Sequence, residues 1–159
     1  MPPWVYLTGR IGHAVLVALL LVTIALTAGA LLFGVSIPGR TMPAFLAALA
    51  VGAMTFSALG LAITAAIPNA DAAPAVVNAS ILPLLFFSDV FFSLEGAPSW
   101  LTTFSDFFPV RHFSQALIEA FVPGTEGSAF APEHLLVMAA WGVAGALLAA
   151  RFFRWEPRR

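Results

Sequence analysis

The chain has 159 residues, of which 60% are hydrophobic and 9% charged, with a net charge of −1 at neutral pH. Ordinary soluble domains carry roughly 45–50% apolar and about 25% charged residues, and a globule this small cannot hide the excess, so the composition belongs to a membrane protein. The near-neutral charge argues against a nucleic-acid partner. The absence of Cys and Lys removes disulfides, thiolate metal sites, a Cys nucleophile and the phosphate-binding lysine of a P-loop ATPase.

A spanning helix needs about 20 mostly apolar residues, since each adds about 1.5 Å across a hydrocarbon core of about 30 Å. Four stretches qualify: residues 11–34, 43–67, 73–94 and 134–153. The expected fold is therefore all-α, a polytopic helical membrane protein. The first stretch carries no charge and ends at the Ser36-Ile37-Pro38-Gly39-Arg40 turn, and the second is closed by Pro68-Asn69, residues that stop helices. Arg10 ahead of an apolar run, with Ala28-Gly29-Ala30 after it, has the look of a secretory signal. The run exceeds the usual 7–15-residue core of such signals, so it is read as a span. The third stretch contains Pro83, which frees a carbonyl and is expected to bend the helix.

Basic residues near span ends stay on the cytoplasmic side. Placing both termini in the cytoplasm puts Arg10, Arg151, Arg154, Arg158 and Arg159 inside and only Arg40 and Arg111 outside. The expected location is thus the cytoplasmic membrane, multi-pass, with residues 95–133 outside.

That external segment is too apolar for a plain loop and too interrupted to cross. It reads as a bent, re-entrant helical hairpin over residues 98–122, with a surface-lying amphipathic segment as the alternative. Ser99 is the expected N-cap of the first helix, with Trp100, Leu101, Phe104 and Phe108 on its apolar face and Thr102, Thr103, Ser105 and Asp106 on the other. Pro109 breaks it. A second helix follows, with Val110, Phe113, Leu117, Ala120 and Phe121 against Arg111, Gln115 and Glu119. Small residues also recur at four-residue spacing. Ala44, Ala48, Gly52 and Gly60 form one stripe and Gly142, Ala146 and Ala150 another, and such stripes let helices approach closely in lipid.

Among residues that could carry chemistry, Asp89 stands out, because an ionised carboxylate inside a span is costly unless it faces protein or water. It is read either as a polar contact on a substrate path or as an interfacial carboxylate. His13, His112 and His134 fall in no metal-binding spacing, and His112 and Glu119 sit seven residues apart on one helix, about 10 Å along the axis. No metal site is expected. No Gly-x-Ser-x-Gly elbow supports a hydrolase, and Asn78-Ala79-Ser80 is discounted as a glycosylation site because it lies in or beside the third stretch.

Several runs together resemble a known family. They are Ile67-Pro68-Asn69-Ala70-Asp71-Ala72-Ala73-Pro74-Ala75-Val76-Val77-Asn78, Leu82-Pro83-Leu84, Phe87-Ser88-Asp89-Val90-Phe91, Pro98-Ser99-Trp100-Leu101 and Phe108-Pro109-Val110-Arg111-His112-Phe113. They look like the C-terminal part of ABC-2 type transporter permeases, the drug-exporter-like members in particular, and the tail Arg151-Phe152-Phe153-Arg154-Trp155-Glu156-Pro157 is similar to theirs. The resemblance implies one transmembrane domain over residues 1–159, its four spans corresponding to the family's third to sixth. The first two are then missing, so either a truncated chain, the preferred reading, or a separate subunit that supplies them is expected, with residues 1–10 left from the cytoplasmic segment after the second span. Where many members have Gly after Ser88, this chain has Asp89.

The resemblance further implies a permease subunit of an ATP-driven exporter, not an enzyme and without a cofactor of its own. An ABC ATPase subunit would bind the ATP, and a second permease copy would complete a homo- or heterodimer in the bilayer. Asp89, Pro83, Trp100, Phe108, Pro109 and His112 are candidates for the substrate path or gate. Thr8, Arg10, Asn69 and Asp71 are candidates for the ATPase-contact side. The alternatives are a small membrane scaffold or anchoring subunit, and an intramembrane hydrolase using a Ser with His112.

Overall fold

The computed structural model describes residues 3–36, 39–86, 98–121 and 129–152. Among the described residues the regular structure is six α-helices and one 3-10 turn: α1 (Pro3–Phe33), α2 (Met42–Ala66), the turn Ala70–Ala72, α3 (Ala73–Phe86), α4 (Ser99–Phe107), α5 (Pro109–Phe121) and α6 (Pro132–Phe152). The all-α expectation holds. Three of the helices are long and apolar enough to cross a membrane: α1 from Gly12 onward, α2 and α6. Of the third expected span, the described part is α3, whose 14 residues rise only about 21 Å. Residues 87–94, which would complete it, lie outside the described residues.

The apolar stretch expected at residues 11–34 corresponds to the Gly12–Phe33 part of α1. The helix itself starts earlier, at Pro3, because Pro suits the first helical position and no proline interrupts the chain between it and the apolar run. Its apolar surface is largely uncovered by the rest of the chain, since Leu16, Leu20, Leu21 and Leu31 are all well exposed. The hydroxyls of Thr23 and Thr27 are satisfied within the helix by the carbonyls of Leu19 and Thr23, each at 2.7 Å. Gly34 ends the helix in the left-handed region at φ +65°, and the Val35 N–H donates to the Gly29 carbonyl at 3.1 Å, satisfying one of the last helical acceptors.

α2 ends as its sequence demands. Ile67 precedes Pro68 and is pushed to extended backbone at φ −76°, ψ 116°. The Asn69 Oδ1 then accepts the Ala72 N–H at 2.9 Å and caps the 3-10 turn that leads into α3. Pro83 lies inside α3, which continues through it to Phe86.

The core lies between α2 and α6, with α5 closing one end. Ala48, Ala116, Ala131 and Met138 form a buried cluster flanked by Val51, Phe113, Leu117 and Leu135. Gly142 packs on Thr55 and Gly145 on Ala58 and Leu59, so closely that a Cβ at Gly145 would stand 3.0 Å from the Leu59 backbone nitrogen. The paired positions rise together along both helices, so α2 and α6 run parallel. The seam of α6 consists of Met138, Gly145 and Ala149, all buried, with Gly142 half-buried among them. Of the small-residue stripes, Gly142, Ala44, Ala48 and Gly52 pack within the chain, whereas Ala146 and Ala150 on α6 and Gly60 on α2 are exposed. Helical packing across an interface follows i+3 as well as i+4 steps, and a strict four-residue stripe drifts away from the partner.

Candidate functional site

The most chemically varied part of the described fold is the α4–α5 pair where it meets the start of α6. Pro98, not Ser99, takes the N-cap position of α4, its carbonyl accepting the Leu101 N–H at 2.9 Å. Ser99 is the first helical residue, and its own carbonyl accepts the Thr102 and Thr103 hydroxyls at 2.9 Å each. Phe108 has extended backbone because Pro109 follows it, and Pro109 opens α5. One residue thus separates two helices.

α4 departs from the amphipathic expectation at three residues, while Leu101 and Phe108 are half-buried and Thr103 and Asp106 exposed as their faces suggest. Trp100 is 68% exposed and Phe104 45%, whereas Ser105 is fully buried. The small serine allows close approach to the protein, and the aromatics are left on the side that lipid or another chain would cover. Pro109 is buried too, and Phe108 is half-buried beside it. The Phe108 ring stacks on Trp141 of α6 with centroids 6.2 Å apart and meets Phe104 edge-on at 5.1 Å. The Trp141 indole N–H donates to the Phe107 carbonyl at 2.8 Å, one of the acceptors left over at the end of α4. Arg111 forms an ion pair with Asp106 and donates to the Thr102 carbonyl at 3.1 Å, tying α5 back onto α4.

His112 continues this end of the fold toward α6. Its Nε2 lies 2.7 Å from the Asp106 carbonyl and its Nδ1 2.7 Å from Nδ1 of His134. His134 Nε2 in turn faces Glu119 Oε1 at 3.5 Å. His112 and Glu119 therefore do not meet along their own helix, in keeping with their spacing; His134 stands between them. Ligand atoms of Glu119, Glu133 and His134 all lie within 4.8 Å of one another.

A family model described as ABC-2 type transporter matches residues 1–122, about three quarters of the chain. The chain belongs to the ABC-2 type transporter family. No curated protein and no solved structure matches it. Membership makes it a multi-pass membrane component of a transporter and not itself an enzyme, of a kind that works with an ATPase partner. The match runs from α1 through α5; α6 lies beyond it and joins the matched part through its long contact with α2.

The residues singled out for the ABC-2 permease path divide into groups. Phe108, Pro109 and His112 come together at the α4–α5 junction against α6, with Trp100 on the outer side of α4. Pro83 is elsewhere, exposed on α3. Asp89 lies outside the described residues. On the expected ATPase side, Thr8 and Arg10 are in the first turns of α1, the Arg10 side chain being outside the described residues, while Asn69 caps the turn and Asp71 is exposed within it. α1 packs against α2, and a short connection makes consecutive helices antiparallel. The start of α1, the 67–72 turn and the Arg151 end of α6 therefore share one end, and Arg40, α4, α5 and Glu133 gather toward the other.

Sequence reasoning missed Trp141, His134, Glu119 and Glu133 as partners at this end. Trp141 had one usable signal: a tryptophan N–H within an apolar helix needs an acceptor. The His134 contacts had none, because 22 residues separate it from His112 and only the docking of α5 on α6 joins them.

Proposed function

We propose that this chain is a permease subunit of an ATP-driven ABC exporter in the cytoplasmic membrane, and that it helps form the substrate path. The observation that carries the reading is the family match over α1 to α5. The shared end of Thr8, Arg10, Asn69, Asp71 and Arg151 supports its sidedness: if that end is cytoplasmic, five Arg lie inside and two outside, as the retention of basic residues requires. An ATPase subunit would then dock at the start of α1 and the 67–72 turn. ATP binding would close the ATPase pair and shift the population of packings available to α1, α2 and α6. The chain would bind no cofactor of its own.

A second permease copy, identical or related, would complete the path. The aromatic outer face of α4, with Trp100, Phe104 and Phe107 exposed, is the surface that a second copy or lipid would cover. Pro109 and Phe108, at the bend between α4 and α5, would gate the outer exit, with Asp89 and Pro83 as the candidate polar contact and bend on the path.

The test is expression of this chain in its native host, followed by purification through a tag on it and identification of any co-purifying nucleotide-binding subunit. An ATPase retained through size exclusion, and lost when Asn69 and Asp71 are both replaced by Ala, supports the reading. A well-folded chain that retains no nucleotide-binding subunit would count decisively against it.

A further inference from the structure

We propose that α4 lies along the membrane–water boundary, with Trp100, Phe104 and Phe107 seated in lipid and Ser99, Thr103 and Asp106 facing water. The proposal rests on the membrane reading of the fold and on no step of transport.

α4 is a three-sided helix. At about 100° per residue, Trp100, Phe104 and Phe107 fall within a sector of about 60°, and Ser99, Thr103 and Asp106 fill an equal sector beside it. All six are exposed, while the remaining side carries buried Ser105 and half-buried Leu101 and Phe108. The rest of the chain therefore covers one side only, and the two open sides differ in chemistry. Three large rings on one stripe are unfavourable in water, and the hydroxyls and carboxylate of the other are unfavourable in hydrocarbon. A helix lying where the two media meet satisfies both stripes at once.

The packing of the α4–α5 bend fixes its level. Glu133, the charge at the start of the α6 span, marks the polar side of the boundary. Trp141 is eight residues beyond it, about 12 Å along the axis, and its side chain leans back toward the helix start. Its N–H meets the Phe107 carbonyl at 2.8 Å, so the end of α4 stands on the order of 10 Å inside the level of Glu133. α2 gives a matching result. Phe113 packs on Gly52, whereas Phe121, at the other end of α5, packs on Phe45 near the start of α2. α5 thus climbs outward from the bend, and the bend is its inner end. An interfacial helix seats its apolar face about 5–10 Å into the layer between headgroups and acyl chains, the level at which these contacts hold α4. Tryptophan, apolar in body and polar at one edge, suits that layer.

Charge selects the kind of lipid. Asp106 is the one charged side chain of α4, and it is paired with Arg111 of α5, so this surface offers no net charge to a headgroup. The pairing also lowers the cost of holding a carboxylate near hydrocarbon. Anchoring is then by ring insertion, and a neutral glycerophospholipid serves as well as an anionic one.

The experiment uses the whole chain reconstituted into phosphatidylcholine vesicles, with and without phosphatidylglycerol. The chain has no cysteine, so Phe104→Cys and Thr103→Cys variants each carry one environment-sensitive fluorophore. The quenchers are a phospholipid spin-labelled near the headgroup end of its acyl chain, and iodide on both faces of the vesicle, which makes the reading independent of topology. The lipid should quench the fluorophore at position 104 at least about threefold more than that at 103, and iodide should reverse the order, equally in both kinds of vesicle. Wild-type and Trp100→Phe chains supply the same reading without a label. The tryptophan emission lost in Trp100→Phe should be a lipid-quenched part, so the test survives a labelled variant that does not fold. Equal quenching of the two positions by each agent overturns the proposal. So does a position 104 that neither agent reaches, the result expected where a second copy covers the rings, and so does lipid quenching that requires phosphatidylglycerol.

Discussion

Phe113 of α5 lies across Gly52 of α2, so close that a Cβ on the glycine would collide with the ring. The same ring meets Phe56 edge-on with centroids 5.5 Å apart. In lipid, helices gain little from the hydrophobic effect and associate through close packing, so this contact is what seats α5 on the first half of α2. Gly52→Ala should push the Phe113 ring off Phe56 and loosen α5, lowering the thermal midpoint of the detergent-solubilised chain. A Gly52→Ala/Phe113→Leu double variant should recover part of the loss, because the flexible leucine can turn away from the new methyl. No recovery would mean that the ring is not the obstacle.

Gly145 gives a harsher outcome. Its neighbours are backbone atoms, the Leu59 nitrogen at 3.0 Å and the Ala58 carbonyl carbon at 3.1 Å from an added Cβ, and backbone cannot swing aside. Gly145→Leu must separate α6 from α2 and should cost at least about 2 kcal/mol, within the range of overpacked cores. Leu at Gly60, where an added Cβ meets nothing within 4 Å, should be tolerated. The comparison of midpoints by size exclusion after heating checks both.

Thr55 should matter less than its complete burial suggests. Its hydroxyl donates to the Met138 carbonyl at 2.9 Å, but that carbonyl lies within α6 and has a helical partner as well. Interhelical hydrogen bonds of this kind average about 0.6 kcal/mol in membranes. Thr55→Val keeps the shape and should lower stability by less than about 1 kcal/mol, well below the effect of Gly145→Leu. A larger loss would reveal a polar role for Thr55 beyond this bond.

The sequence disclosed the helices better than it disclosed their neighbours. Apolar run lengths located α2 and α6 almost to the residue, and the prolines at 68 and 109 placed the breaks where backbone sterics require them. The burial of Ser105 with Trp100 exposed was not legible, because an amphipathic pattern assumes water on one side. Beside lipid, the apolar face is free to turn outward. On α6 the seam within the chain steps from Met138 to Gly142 to Gly145 to Ala149, mixing three- and four-residue steps, so a strict four-residue stripe shares only Gly142 with it. As for the site, Phe108, Pro109 and His112 were marked by local pattern. Their partners Trp141 and His134 arrive from a helix that only tertiary packing brings near.

Trp141 makes a test of how firmly α4 and α5 are held. Its N–H caps the Phe107 carbonyl at 2.8 Å, and its ring meets Phe107 edge-on at 5.3 Å. Trp141→Phe keeps most of the ring contact and removes the donor, leaving that carbonyl to compete for a partner at the end of α4. The expected result is a loss of about 1 kcal/mol and faster labelling of a cysteine introduced at Ser105, which is fully buried. Unchanged labelling would show that stacking alone holds the pair.

The absence of cysteine also makes sidedness measurable, since each introduced thiol is unique. Asn69 and Ser99 are both exposed and belong to opposite ends of the fold. The distribution of Arg predicts that Ser99→Cys reacts with a membrane-impermeant maleimide in intact cells. Asp71→Cys should react only after permeabilisation, and Asp71 is preferred to Asn69 because Asn69 caps the turn. Five Arg against two, with the juxtamembrane bias that retains basic residues, make the opposite pattern expensive for insertion. Labelling of Asp71→Cys in intact cells would invert the topology, place the α4–α5 bend in the cytoplasm, and remove the start of α1 as the docking site for an ATPase.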